Sequence, residues 1–97
     1  MSFPCVFTVQ ALTDLHFHTA YYESLSVGLG EKFLASTHDC IKIISSLPLG
    51  FEKRYKNTHQ IKLKQFPHCL IYTFDNKTIF VHAVFAMKQD PKKKIRK

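Results

Sequence analysis

Lysine and arginine placement carries the clearest chemical signal in this 97-residue chain. Lys62 and Lys64 stand two apart in I-K-L-K, so on a strand both ammonium groups leave one face, where they could flank a phosphate. Lys53, Arg54 and Lys56 precede them. Lys88, Lys92, Lys93, Lys94 and Arg96 follow in a short basic tail. Tyr72, His68 and His82 are types that carry protons or stack on bases. Together they suit one reaction, attack of an RNA 2′-hydroxyl on its neighbouring phosphate. A base or positioning group helps remove the proton, and cations stabilise the charge that develops on phosphorus. Alternating lysines equally suit a wet strand face or an edge guarded against aggregation.

Other chemistries find less support. Six histidines are present, His16, His18, His38, His59, His68 and His82. His16 and His18 are two apart on a helix and do not share a face. His68-Cys69, with His59 and His82 on neighbouring strands, lacks any metal-ligand spacing. Cys5, Cys40 and Cys69 are odd in number, widely spaced and free of any C-x-x-C, which excludes a disulfide framework. All three sit in apolar patterns and read as buried thiols, so Cys69 is a poor nucleophile. No metal and no small-molecule cofactor is expected.

Net charge is +7 and unevenly placed. Residues 1–50 carry two Lys against four acids, a net of −2; residues 51–97 carry twelve Lys or Arg against three acids, a net of +9. Such polarity fits an anionic partner such as nucleic acid, a ribonucleoprotein or an acidic protein segment, and equally a soluble basic protein without one. The start M-S-F-P-C-V-F-T-V lacks the basic region of a signal peptide, and no apolar run approaches the ~20 residues of a membrane span. A cytoplasmic protein without membrane association is expected.

These residues must be held by elements, and the pattern supplies them. One domain is expected, with a core but little room for a deep pocket. Residues 3–10 read as a strand, with Cys5, Phe7 and Val9 on one side. Residues 11–26 read as a helix burying Leu12, Leu15, Thr19, Tyr22 and Leu25, with Thr13 as one choice of N-cap. Gly28 and Gly30 in V-G-L-G supply positive φ between two helices. Residues 31–47 read as the second helix, with a stripe of Phe33, Leu34, Thr37, Cys40, Ile41, Ile44 and Leu47, stopped by Pro48. Residues 49–57 read as a basic loop anchored by Phe51. In the next strand Ile61 and Leu63 face away from Lys62 and Lys64, and the alternation slips at Gln65-Phe66-Pro67. Residues 68–74 and 78–86, joined by a tight turn at Asp75-Asn76-Lys77, are apolar at both parities, as strands covered on both faces would be. The first strand is expected beside 78–86. The expected fold class is α+β: an N-terminal strand, an α-helical hairpin, then a three-stranded antiparallel meander, forming one small curved sheet with the helices on one face.

This order resembles the RelE/ParE toxin superfamily, the plasmid-stabilisation toxins of type II toxin–antitoxin pairs. The resemblance rests on Tyr21-Tyr22, Gly28-Leu29-Gly30 with Phe33, Leu47-Pro48, Lys64-Gln65-Phe66-Pro67 with Ile71-Tyr72, Val81-His82-Ala83-Val84, and Asp90-Pro91. It spans nearly the whole chain, residues 1–97 forming one such domain with 88–97 as tail. It implies a cytoplasmic toxin neutralised by a small cognate antitoxin, with neither metal nor organic cofactor. RelE-like members cut messenger RNA in the ribosomal A site; ParE-like members inhibit DNA gyrase and are not nucleases. The chain departs from the pattern at His59-Gln60, at Phe66-Pro67-His68, at Phe85-Ala86 in place of the usual His, and at Gln89-Asp90-Pro91. These are the polar positions a nuclease would use, so the expectation is ParE-like target binding. The alternatives are a ribosome-dependent mRNA endonuclease using Lys62, Lys64, Tyr72 and Lys88, and an inactive or decayed relative kept as a protein-binding module. Lys53, Arg54, Lys56, Lys92, Lys93, Lys94 and Arg96 are the expected nucleic-acid or target contacts.

Overall fold

A computed structural model describes residues 2–87. Its elements in chain order are β1 (Cys5–Phe7), α1 (Val9–Leu25), α2 (Leu29–Ser46), β2 (Lys53–Tyr55), β3 (Thr58–Lys62), β4 (His68–Asp75) and β5 (Thr78–Ala86). They form one five-stranded sheet in the order β1-β5-β4-β3-β2. β1 runs parallel to β5, and every other neighbour is antiparallel. The α+β architecture and the hairpin match the sequence expectation, with one strand more. The loop expected at 49–57 contains β2, whose three residues are too polar and too few to show a period. Pairing with β3 creates it, beginning with the Gln60 amide donating to the Glu52 carbonyl at 2.9 Å.

The N-terminal boundary is set by a cap. The strand expected over 3–10 stops at Phe7, and Thr8 Oγ1 accepts from the Ala11 amide at 3.2 Å, so α1 starts at Val9. Thr8 and Val9 are good strand formers, but the side-chain bond satisfies an orphan helix amide and wins. Thr13 is not the cap: its hydroxyl donates back to the Val9 carbonyl. The earlier start turns the buried face. Ala11, Leu15, His18 and Tyr22 point inward, while the expected Leu12 and Leu25 are largely exposed. In α2, Phe33, Thr37, Cys40 and Ile44 are buried as expected and Ser36 joins them; Leu34 and Leu47 are exposed.

The two glycines between the helices do different work. Gly28 has φ +89°, the left-handed conformation that caps α2 without a side-chain clash. Gly30 is already helical. A Cβ there would lie 2.9 Å from the Thr19 carbonyl oxygen, so this glycine lets the two helices approach. The Glu23 carboxylate accepts from both glycine amides, at 3.0 Å from Gly28 and 2.9 Å from Gly30, which places an anion at the positive end of α2.

The core lies on one sheet face. Ile61, Leu63, Leu70, Tyr72, Ile79, Val81 and Val84 meet Ala11, Phe33, Cys40 and Ile44 of the helices, and Phe51 packs against them as expected. The expectation that β4 and β5 are covered on both faces fails. Both helices sit on the same face, and among the described residues no element covers the other, where Val6 and Phe85 are each 46% exposed. Among the described residues, apolar side chains at both parities here mark a face without a second layer. The β4–β5 turn forms at the expected place: Asn76 and Lys77 have φ of 53° and 61°, the double left-handed pair that suits a two-residue hairpin.

Candidate functional site

The open sheet face gathers the side chains that could meet a target. On β2 the strand alternation divides the expected pair. Lys53 pairs with core-facing His59, whereas Arg54 reaches across the open face. Its guanidinium donates to Gln60 Oε1 at 3.2 Å and stands 5.8 Å from the centre of the Phe85 ring. Lys62 lies on this face beside Cys69, its partner across β3 and β4. Cys69 is buried beneath these side chains. Burial pushes its thiol up, and Arg54 and Lys62 pull it partly back.

A β-bulge brings one more residue here. Ile71 pairs with Ala83 and Tyr72 with Val81, so His82 is the extra residue of β5. The bulge lets Val81 and Val84 both reach the core while His82 stays exposed. Its Nε2 lies 2.9 Å from Thr73 Oγ1. His82 is one of the three candidate proton carriers named from the sequence, and of these it alone is exposed; the signal in V-H-A-V is a polar residue in an apolar run with no alternation.

Lys64 is not on a strand with Lys62. β3 ends at Lys62, and Gln65 takes a positive φ of 59° in the bend expected at 65–67. Lys62 stands over Cys69 while Lys64 sits near Cys40 on the helix side, where it opposes the rise that burial imposes on that thiol, to about 11. Both lysines border a groove of about 620 Å³ between α2 and β3, lined also by Ser36, Ile43, Phe51 and Ile61.

Tyr72 is fully buried, and its hydroxyl donates to the Pro48 carbonyl at 2.7 Å. Burial pushes its ionisation up to about 12. This is the geometry of a structural tyrosine without access to a phosphate. His68 is also interior, ringed by Tyr22, Phe33 and His18. The Val84 carbonyl can only accept, so His18 Nε2 carries a proton toward it, and His18 Nδ1 accepts from His68 Nε2 at 3.3 Å. His68 Nδ1 is then a buried acceptor without a partner among the described residues. Burial first, and His18 second, lower the His68 pKa to about 4. Lys56 lies in the turn after β2. Lys88, Lys92, Lys93, Lys94 and Arg96 fall outside the described residues.

The path of the chain can be compared with solved structures. The chromosomal ParDE toxin–antitoxin system of P. aeruginosa contains a chain similar at a TM-score of 0.66, with 18% identity over 90% of this chain and 98% of that one. The toxin–antitoxin complex RelBE2 of Mycobacterium tuberculosis gives 0.64 and 19%, over 89% and 99%. The isolated E. coli RelE toxin gives 0.64 and 15%, over 98% and 95%. This chain has the RelE/ParE toxin fold. Likeness to that fold spans nearly the full length of both partners in each comparison, and it holds for ParE-type and RelE-type chains alike. No protein-family model and no curated protein matches the sequence. On the RelE/ParE fold of this chain, the bare sheet face holds Arg54, Lys62 and His82. Tyr72 is shut inside, and Lys64 is turned to the helix side. Among the described residues, no group of three or more His, Cys, Asp or Glu side chains could hold a metal ion. No helix among them is long and apolar enough to cross a membrane.

Proposed function

We propose that this chain is the toxin of a type II toxin–antitoxin pair, that it acts by binding a cellular target in the ParE-like, gyrase-inhibiting manner, and that a cognate antitoxin neutralises it. The toxin reading is supported by the RelE/ParE fold along nearly the whole chain, shared with chains from toxin–antitoxin systems and complexes. The binding mode is supported by one observation above the rest: the hydroxyl of Tyr72 is committed to Pro48, so the expected phosphate-facing set of Lys62, Lys64 and Tyr72 does not assemble. The test is supercoiling by purified gyrase with increasing amounts of this protein. Inhibition, relieved by the product of the adjacent reading frame, is expected; undisturbed supercoiling at excess protein removes the gyrase reading.

A second reading has its own observation. The bulge that exposes His82 puts an imidazole on the sheet face that carries Arg54 and Lys62. This set suits a messenger-RNA endonuclease in which His82 accepts the 2′-hydroxyl proton and the cations steady the phosphate. Primer extension on transcripts from induced cells separates the two. New cleavages at A-site codons that disappear in His82→Ala favour the nuclease; intact transcripts in arrested cells exclude it. Normal growth on induction favours an inactive protein-binding module.

A further inference from the structure

Val84, two residues past the β5 bulge, is held by α1 through its backbone. The Asp14 carboxylate accepts from its amide at 3.1 Å, and His18 Nε2 donates to its carbonyl at 3.2 Å. β1 pairs with β5 only from Ile79 to Val81, so side chains of α1 stand where a neighbouring strand would continue. The backbone groups that β5 turns to this side change parity at the bulge. Before it they belong to odd residues: the Ile79 amide donates to the Pro4 carbonyl, and the Val81 carbonyl accepts from the Thr8 amide. After it they belong to Val84. A one-residue shift in a strand sends every following side chain to the other face. Asp14 and His18 satisfy two backbone groups, and they do so at the shifted residue, which pins the shift. That shift leaves His82 on the face away from the helices, with its Nε2 2.9 Å from Thr73 Oγ1.

His18 is itself held from the interior. Its Nδ1 accepts from His68 Nε2 at 3.3 Å, and the ring centres lie 4.5 Å apart. The neutral pair has one N–H on each ring, and both are used, one toward Val84 and one between the rings. An added proton has no place. On His68 Nδ1 it would be a buried donor where no partner stands among the described residues. Between the rings it would set N–H against N–H. Once parted from Val84 and from each other, both rings accept protons from water. We propose that α1 pins the β5 bulge through the Val84 peptide, and that proton uptake by the buried His18–His68 pair releases this clamp, so that the display of His82 is sensitive to acid. Its regulatory meaning rests on the reading of the His82 face as the one that meets a target.

The surroundings leave the proton to the histidines. From α1 come Asp14, bound to the same Val84 peptide, and Tyr22, a phenol whose ionisation burial raises. α2 presents the Phe33 ring, and β5 presents the Val84 carbonyl. Burial first, and His18 second, keep His68 neutral down to about pH 4, against 6.5 for the free ring. A basic group with a lowered folded pKa takes its proton on opening. The closed clamp is therefore at full strength above pH 6.5 and weakens as pH falls toward 4. A protonated Asp14 would also hold the Val84 amide less well, so the two acids must be separated by experiment.

Hydrogen exchange of the purified full chain, read amide by amide by NMR, tests this. It needs neither target nor antitoxin, so a failure here leaves the toxin reading standing, and the reverse. Protection of the Val84 amide should fall about 30-fold between pH 7.5 and pH 5, tenfold for each pH unit below 6.5. At pH 5 Val84 should exchange ahead of the Ile79 amide and with less urea dependence, as a local opening does. The nuclear Overhauser contact between the His82 ring and the Thr73 methyl should weaken together with that protection. In His68→Gln, which offers His18 a donor but takes no proton, both changes should disappear. His68→Phe, which refills the aromatic site, should behave alike, and Asp14→Asn, which keeps an acceptor for Val84, should retain both changes. Val84 exchange that only follows Ile79 would overturn the proposal, because acid would then act by unfolding the whole chain. So would a Thr73–His82 contact that persists while Val84 opens, an acid response unchanged in both His68 variants, or one abolished by Asp14→Asn.

Discussion

Replacing Tyr72 by Phe separates a structural tyrosine from a functional one. The ring is fully buried, and its hydroxyl makes a 2.7 Å hydrogen bond to the Pro48 carbonyl, which ties β4 to the chain just past α2. Tyr72→Phe preserves the ring packing and strands a buried acceptor. Such an unpaired group costs about 1–3 kcal/mol. In a domain of this size each kcal/mol moves the melting temperature by about 4–8 °C, so a fall of roughly 5–20 °C is expected. The hydroxyl has no route to a substrate, and burial pushes its ionisation up to about 12, which excludes a phenolate at neutral pH. Growth arrest on induction should therefore persist in the variant at temperatures where it stays folded. The assay pairs thermal unfolding by circular dichroism with a growth curve at low temperature. An unchanged melting temperature with growth arrest abolished would refute the reasoning, because the hydroxyl would then act outside the fold.

Two further outcomes follow from the same geometry. Gly30→Ala should destabilise by about 1–3 kcal/mol through overpacking, because the new methyl would meet the Thr19 carbonyl at 2.9 Å. Adding Glu23→Ala should relieve little of this, since the carbonyl remains. Gly28→Ala meets no atom within 4 Å and should cost about 1–2 kcal/mol from its left-handed φ alone; urea midpoints compare the three. His68 gives a pH dependence. Its folded pKa is about 4 against 6.5 for the free side chain, so between these values the unfolded chain binds the extra proton and stability rises with pH. The contribution is complete above 6.5 and is lost as pH falls toward 4, on the order of 3 kcal/mol at about 1.4 per pH unit. His68→Phe should flatten the urea midpoint over this window, and an equally steep profile in the variant would mean another group is responsible.

The sequence by itself determined the order of elements other than β2, the hairpin turn at Asp75-Asn76-Lys77, the interior position of Phe33, Cys40, Ile44, Ile61 and Leu63, and the resemblance to RelE/ParE toxins. Those follow from local periodicity and turn chemistry, which act within a few residues. Tertiary structure decided the rest. Lys62 and Lys64 alternate in sequence and border one groove, but they turn to different sides of the sheet, because β3 ends between them. Tyr72 offered a proton carrier by type and became a core hydrogen bond, because Pro48 lies against it from another part of the chain. His82 was a candidate by type alone, and only pairing with β4 shows it to be the bulged residue that stays exposed. The strand β2 exists only through β3. Apolar residues at both parities of β4 and β5 could not say whether a second layer covers them, because periodicity reports what a residue prefers and not what it meets. A site is a property of neighbours distant in sequence, and only the fold sets those distances.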